Sequence, residues 1–112
     1  MKPLYENFLE VAQKIIERNY GDESFGCPEL CHELRMSRSH VHRKLKQEVN
    51  LSPSEFIKKI RLEKAKVLLV HTNQPINEIA YKVGYSDANY FSRSFSSFYG
   101  IPPSQCRQAH TR

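Results

Sequence analysis

At 112 residues the chain can form one compact domain, or two small lobes sharing a connector, around a modest core. Its longest obvious apolar run, Val67-Leu68-Leu69-Val70, falls far short of the ~20 residues a membrane helix needs. Glu6 and Glu10 among the first apolar residues argue against a secretory signal, so a soluble, cytoplasmic chain is expected. The net charge of +5 is uneven: residues 1–34 hold three Lys/Arg against seven Asp/Glu, and residues 35–112 hold fourteen against five.

The helical spacing of Tyr5, Phe8, Leu9, Ala12, Ile15 and Ile16 predicts a first helix, with Gly21 beyond it as a stop. A short helix follows from about Pro28 to Leu34, with proline near its start, where a missing N–H costs little. Ser37 is placed to cap a third helix running to about Glu48, which Asn50 ends in left-handed geometry. Ser52-Pro53-Ser54-Glu55 is a capping box with proline at the first helical position, opening a long helix to about Val70. After the loop Thr72-Asn73-Gln74-Pro75 come a helix from Ile76 to Val83, a stop at Gly84 and a cap at Ser86. The helix behind that cap runs to Tyr99 and ends at Gly100; Pro102 and Pro103 start a last helix through Gln108. The fold class is therefore all-α, with seven helices and no strand.

One pattern occurs twice. Glu29-Leu30-Cys31, Leu34-Arg35-Met36-Ser37, Val41-His42-Arg43 and Leu45 are answered by Glu78-Ile79-Ala80, Val83-Gly84-Tyr85-Ser86, Phe91-Ser92-Arg93 and Phe95. The offset is 49 through the two serines and 50 from Val41 and Phe91 onward, which puts the added residue at the start of the second copy's last helix. A small residue, a turn, a cap and an apolar-plus-basic helix make the order in which a helix-turn-helix sends its second helix into a DNA major groove. The predicted architecture is one domain over 1–112: a first lobe at 5–50, a linking helix at 52–71 and a second lobe at 73–108. About 17 residues of linking helix span roughly 26 Å, and with loops at both ends they can hold two recognition helices one DNA turn apart, near ~34 Å. Phe56, Ile60, Leu62, Ala65, Leu68 and Leu69 should pack on both lobes, leaving Lys58, Lys59, Arg61, Lys64 and Lys66 to face solvent or phosphate.

Val41 and Leu45, one turn apart, must point inward. Arg38, Ser39, His42, Arg43 and Lys46 then point outward. The planar fork of Arg43 matches the O6 and N7 acceptors of guanine. His42 and Ser39 read base edges or bind phosphate; His40 does either or packs on the lobe surface; Lys46, further from the helix start, suits phosphate. In the second copy Phe91 and Phe95 are the inward pair, leaving Asn89, Tyr90, Ser92, Arg93 and Ser96 near the groove. Asn89 has the amide geometry for adenine, and Ala88 is small enough to touch a thymine methyl or permit close approach. Arg93 is the counterpart of Arg43, or else grips phosphate or braces the lobe. Tyr81, Tyr85, Phe91, Phe95 and Phe98 keep helical spacing and read as core of the second lobe rather than as stacking platforms.

Cys27, Cys31 and Cys106 are odd in number and lack framework spacing. Cys27, Cys31 and His32 lie close together, but the cysteines fall at helix-packing positions without a second ligand cluster, so reduced, buried thiols are expected and no metal. Ala80 and Cys31 read as small residues where two helices cross. Catalysis is not expected either: there is no glycine-rich phosphate loop and no nucleophile with a placed base. A helical protein-interaction module whose basic face binds an acidic partner is the rival reading, and it predicts weak DNA binding indifferent to His42 or Asn89.

Arg61-Leu62, Ala65, Leu68-Leu69, Ile76, Ile79-Ala80, Gly84-Tyr85-Ser86, Tyr90-Phe91-Ser92-Arg93 and Phe95, followed by Gly100 and Pro102-Pro103-Ser104, resemble the signature of AraC/XylS-family bacterial transcription regulators. The resemblance covers roughly residues 5–108. It implies two lobes joined by a helix, binding adjacent major-groove segments on one face of double-stranded promoter DNA, and contact with RNA polymerase. It places base contacts on Ser39, His42 and Arg43 and on Ala88, Asn89, Tyr90 and Arg93. No cofactor is implied; a sensor or receiver domain elsewhere in a longer protein is, so the chain reads as an output domain or a stand-alone regulator. Three departures stand out: Arg35 where the first turn usually has glycine, at ~1 kcal/mol for left-handed geometry, Gly26 in place of a hydroxyl cap, and Asn50 in place of glycine.

Overall fold

The structure, a computed structural model, describes residues 7–110, which form seven helices and no strand. They are α1 (Phe8–Asn19), α2 (Cys27–Leu34), α3 (Arg38–Val49), α4 (Pro53–His71), α5 (Ile76–Lys82), α6 (Ala88–Tyr99) and α7 (Pro103–Ala109). Tyr5, expected at the start of the first helix, lies outside the described residues.

Helix starts follow local chemistry. Asn7 caps α1, accepting from the Glu10 N–H at 2.8 Å while the Glu10 carboxylate reaches back to the Asn7 N–H. Ser52 and Glu55 exchange the same pair of bonds at the head of α4. Gly26 has no side chain to cap α2, yet its own N–H donates to Glu29 Oε1 at 2.8 Å, so half of the capping box survives. Arg35 and Asn50 end α2 and α3 with φ of 56° and 58°, the only described non-glycine residues at positive φ. Both cap N–H groups reach back to carbonyls of the last turn.

Buried side chains gather into two clusters that share α4. Ala12, Ile15, Ile16, Phe25, Leu30, Val41 and Leu45 pack with Phe56, Ile57 and Ile60 from the first half of α4. Leu62, Ala65 and Leu69 from its second half pack with Ile79, Ala80, Val83, Tyr85, Phe91, Phe95 and Cys106. Leu68, expected in the core, is only partly buried at the edge of the second cluster. Tyr20 packs against both clusters. The 19 residues of α4 make a strut of about 28 Å. The described residues extend 44 Å along their longest axis.

Two aromatic expectations fail. Tyr81 and Phe98 are 51% and 45% exposed. In α5 the buried residues are Ile79 and Ala80, continued by Val83 just beyond its end, which turns Tyr81 outward. In α6 Tyr99, one turn after Phe95, takes the half-buried position, its ring 4.7 Å from Phe95, and Phe98 rests edge-on against it. Cys27, Cys31 and Cys106 are buried free thiols, and burial pushes the Cys31 thiol up to about 11.

Candidate nucleic-acid interface

The second recognition helix starts one residue later than its serine suggests. Asp87, not Ser86, is the cap: its Oδ1 accepts from the N–H groups of Asn89 and Tyr90 at 2.8 and 3.2 Å. A carboxylate is favoured there over a hydroxyl because it also meets the positive end of the helix dipole. The caps Ser37 and Asp87 are therefore 50 residues apart, and the extra residue of the second copy lies in its turn rather than in its helix.

From cap to last turn the two recognition helices then run in one register. Val41 and Leu45 in α3, and Phe91 and Phe95 in α6, have no exposed surface. The twelve residues expected at DNA fall on the same six places in each helix: Arg38, Ser39, His40, His42, Arg43 and Lys46 in α3, and Ala88, Asn89, Tyr90, Ser92, Arg93 and Ser96 in α6. The whole α3 set is exposed. Arg38, Ser39, His42, Arg43 and Lys46 line one open concavity, and His40, the remaining member, has its N–H bound by Ser37 Oγ at 3.2 Å. In α6 Asn89, Tyr90 and Arg93 are exposed, while Ala88, Ser92 and Ser96 are half-buried.

The faces differ in character. The α3 face carries two arginines, two histidines and a lysine, whereas the α6 face carries Arg93 as its one formal charge. A second cation joins it from α4: Lys58 Nζ donates to the Tyr90 hydroxyl at 3.0 Å and stands 5.3 Å from the ring centroid. The Arg93 guanidinium lies 6.0 Å from the same ring. The bond to Lys58 lowers the Tyr90 pKa, and the same bond raises that of Lys58. Lys58, Tyr90, Arg93, Ser94, Ser97 and Phe98 line a second shallow concavity.

The basic residues of α4 are engaged with the protein rather than free. Lys59 pairs with Glu63 at 2.9 Å and Lys64 with Glu17 at 3.7 Å, and Lys66 stands 4.9 Å from the Tyr99 ring. Such half-exposed pairs are worth little, so their lysines can exchange partners for phosphate at small cost. Arg61 departs from the solvent-facing expectation altogether. It is half-buried and gives its guanidinium to the backbone carbonyls of Tyr20, Asp22 and Phe25 at 3.1, 2.8 and 3.0 Å. Burial lowers its pKa. Those carbonyls are 36 to 41 residues away in sequence, beyond the reach of any local signal.

A helix-turn-helix domain model matches residues 30–109. Over 103 residues the chain is 38% identical to the raffinose operon transcriptional regulatory protein of Pediococcus pentosaceus, covering 90% of this chain and 36% of that protein. It is 36% identical over 106 residues to histidine kinase P4 of Formosa agariphila, covering 95% of this chain and 8% of that protein. The chain thus spans well under half the length of these relatives. Among solved structures, the C-terminal domain of the two-component response regulator yesN of Fusobacterium nucleatum superposes with a TM-score of 0.82 at 35% identity, covering 91% of this chain and 99% of that one. A Chromobacterium violaceum transcriptional regulator described as AraC-type superposes with a TM-score of 0.86 at 26% identity, over 93% of this chain and 92% of that one. With the doubled helix-turn-helix, the shared strut and these matches together, the chain belongs to the AraC/XylS family of transcription regulators, as its DNA-binding domain.

Proposed function

We propose that the chain reads two adjacent major-groove segments of one promoter duplex, α3 in the first and α6 in the second. The observation that carries this reading is the common register of the two helices: the same six outward places behind equivalent caps, with the same inward pair fixing each. In this reading 5–50 and 73–108 are the two lobes and 52–71 the linking helix. Arg43 and Arg93 address guanine, Asn89 adenine, and Ser39 and His42 base edges. Tyr90 meets the bases beside Asn89, Ala88 touches a thymine methyl or permits close approach, and Arg38, His40, Lys46, Ser92 and Ser96 hold the sugar-phosphate backbone. The basic stretch from residue 35 onward supplies the sequence-independent attraction.

We further propose that this domain is the output end of a longer cytoplasmic protein whose sensor or receiver part lies elsewhere, and that once seated on a promoter it contacts RNA polymerase. The small share of its relatives that it spans supports the longer protein, and its likeness to the C-terminal domain of a response regulator supports the output role.

Titration of a duplex selected from a random-sequence pool against its scrambled counterpart, across a salt series, tests the reading. The selected duplex should bind more tightly by at least ~10³-fold near physiological salt. Log K on both should fall with log salt at about −0.9 per phosphate contacted. Equal affinity for both duplexes at every salt concentration would overturn it in favour of a protein-interaction module.

A further inference from the structure

Fixing two recognition helices at one separation takes more than a straight strut, because each lobe can still rock about the helix that carries it. The structure holds a direct contact between the lobes. Tyr20 and Gly21, just beyond α1 in the first lobe, lie against Lys82–Gly84 of the second. A Cβ built on Gly84 would collide with the Tyr20 carbonyl oxygen and stand 2.7 Å from Arg61 Nε. One on Gly21 would stand 3.1 Å from the Lys82 carbonyl oxygen. Gly84 is required twice here, by this approach and by its φ of 97°. Arg61 sits at the centre of the contact. Its place on α4 falls between Ile60 of the first core and Leu62 of the second, and its guanidinium ties down the α1–α2 loop through three carbonyls. The Tyr20 side chain closes the seam by packing on both cores.

We infer that Arg61 is a positioning residue that sets the spacing of the two DNA half-sites: by clamping the Tyr20–Phe25 loop to α4 beneath Gly84, it locks the two lobes at one mutual angle. Its guanidinium is spent on backbone carbonyls of the protein rather than on DNA. Its effect is on the distance between α3 and α6, and therefore on how many base pairs must separate the two segments they read. A protein locked at one angle engages both segments only at the matching spacing, whereas a rocking one samples several and is in register for a fraction of the time.

The inference rests on the reading that α3 and α6 engage one duplex, so its test has an arm without DNA. Arg61→Met removes the clamp while keeping a long apolar stem. Arg61→Lys keeps the charge and the stem but has no planar fork with which to reach three carbonyls at once. Nitroxide labels on Gln47→Cys in α3 and Ser97→Cys in α6, both exposed, report the distance between the helices, the three native thiols being buried. One narrow distance distribution is expected in the otherwise unaltered protein, and a broadened or displaced one in each variant. On duplexes differing by single base pairs in the spacer, the unaltered protein should prefer one spacing by at least ~10-fold. The variants should discriminate by less than ~3-fold, or prefer a different spacing. Circular dichroism separates loss of fold from loss of register, and if Arg61→Met does not fold, Arg61→Lys decides. A distance distribution unchanged in the folded variants overturns the clamp, whether or not DNA binds. Absence of sequence-specific binding by the unaltered protein alongside broadened distances retires the DNA reading and leaves the clamp standing.

Discussion

Lys58 Nζ, on the linking helix, donates to the hydroxyl of Tyr90, on the second recognition helix, at 3.0 Å. This bond occupies an acceptor site on the phenol oxygen and leaves its O–H free to donate, while the Arg93 guanidinium stands over the same ring. In an alkaline titration followed by NMR, Tyr90 should ionise first among Tyr85, Tyr90 and Tyr99. Its pKa is lowered, chiefly by Lys58, whereas burial raises that of Tyr85 and pushes that of Tyr99 up to about 12. Lys58→Met should return Tyr90 toward the ordinary tyrosine value. An unmoved Tyr90 in that variant would show that the bond is not made in solution.

Arg43 stands among the exposed residues of the α3 concavity. Arg43→Ala should cost ~1–3 kcal/mol on a selected duplex and little on random DNA, because a bidentate contact with guanine is lost only where guanine is present. Competition binding measures both. An equal loss on the two DNAs would make Arg43 a phosphate contact.

Arg35 ends α2 at a φ of 56° with its side chain exposed. Left-handed geometry costs a non-glycine residue about 1–2 kcal/mol, against ~0.5–1 kcal/mol for the greater entropy glycine loses on folding. Arg35→Gly should therefore stabilise the domain by up to ~1 kcal/mol and raise its Tm by a few degrees. Asn50→Gly should gain less, since Asn tolerates the left-handed region better than most residues. Thermal unfolding of both checks this, and a lower Tm for Arg35→Gly would contradict it.

Glu55 accepts from the Ser52 N–H at 2.8 Å, and this bond holds its carboxyl below the usual glutamate range. A folded pKa below the unfolded one contributes stability that is present above the unfolded value and lost as pH falls through the folded one. Denaturant unfolding should find Glu55→Ala less stable than the parent at neutral pH, with the gap narrowing on acidification through the glutamate range. A gap constant with pH would assign the effect to helix propensity alone.

The elements were legible in the sequence where the signal is local. Ser52 with Glu55, Ser37, Gly100 and the left-handed Asn50 all act within one helix end, and each is where its chemistry places it, whereas Arg35 is left-handed against its own preference, at the place where the family resemblance puts glycine. The second cap was misplaced because Ser86 and Asp87 are neighbouring residues that both suit the role; geometry chose the carboxylate, which reaches two N–H groups. Outward and inward faces of α3 and α6 followed from helical period. Tyr81 and Phe98 escaped that rule because period fixes which residues share a face, not where the partner lobe stops covering it. Arg61 and Lys58 escaped for a different reason. Their partners are 32 to 41 residues away and come within reach only after both lobes have packed on α4.

Selection of bound duplexes from a random-sequence pool bears most directly on the claim that α3 and α6 address one duplex together. Two short conserved blocks with centres about ten base pairs apart, one turn of DNA, should emerge, the first altered in sequence by Arg43→Ala and the second by Asn89→Ala. Recovery of one contiguous block that responds to substitutions in α3 and is indifferent to those in α6, or of no block at all, would contradict it.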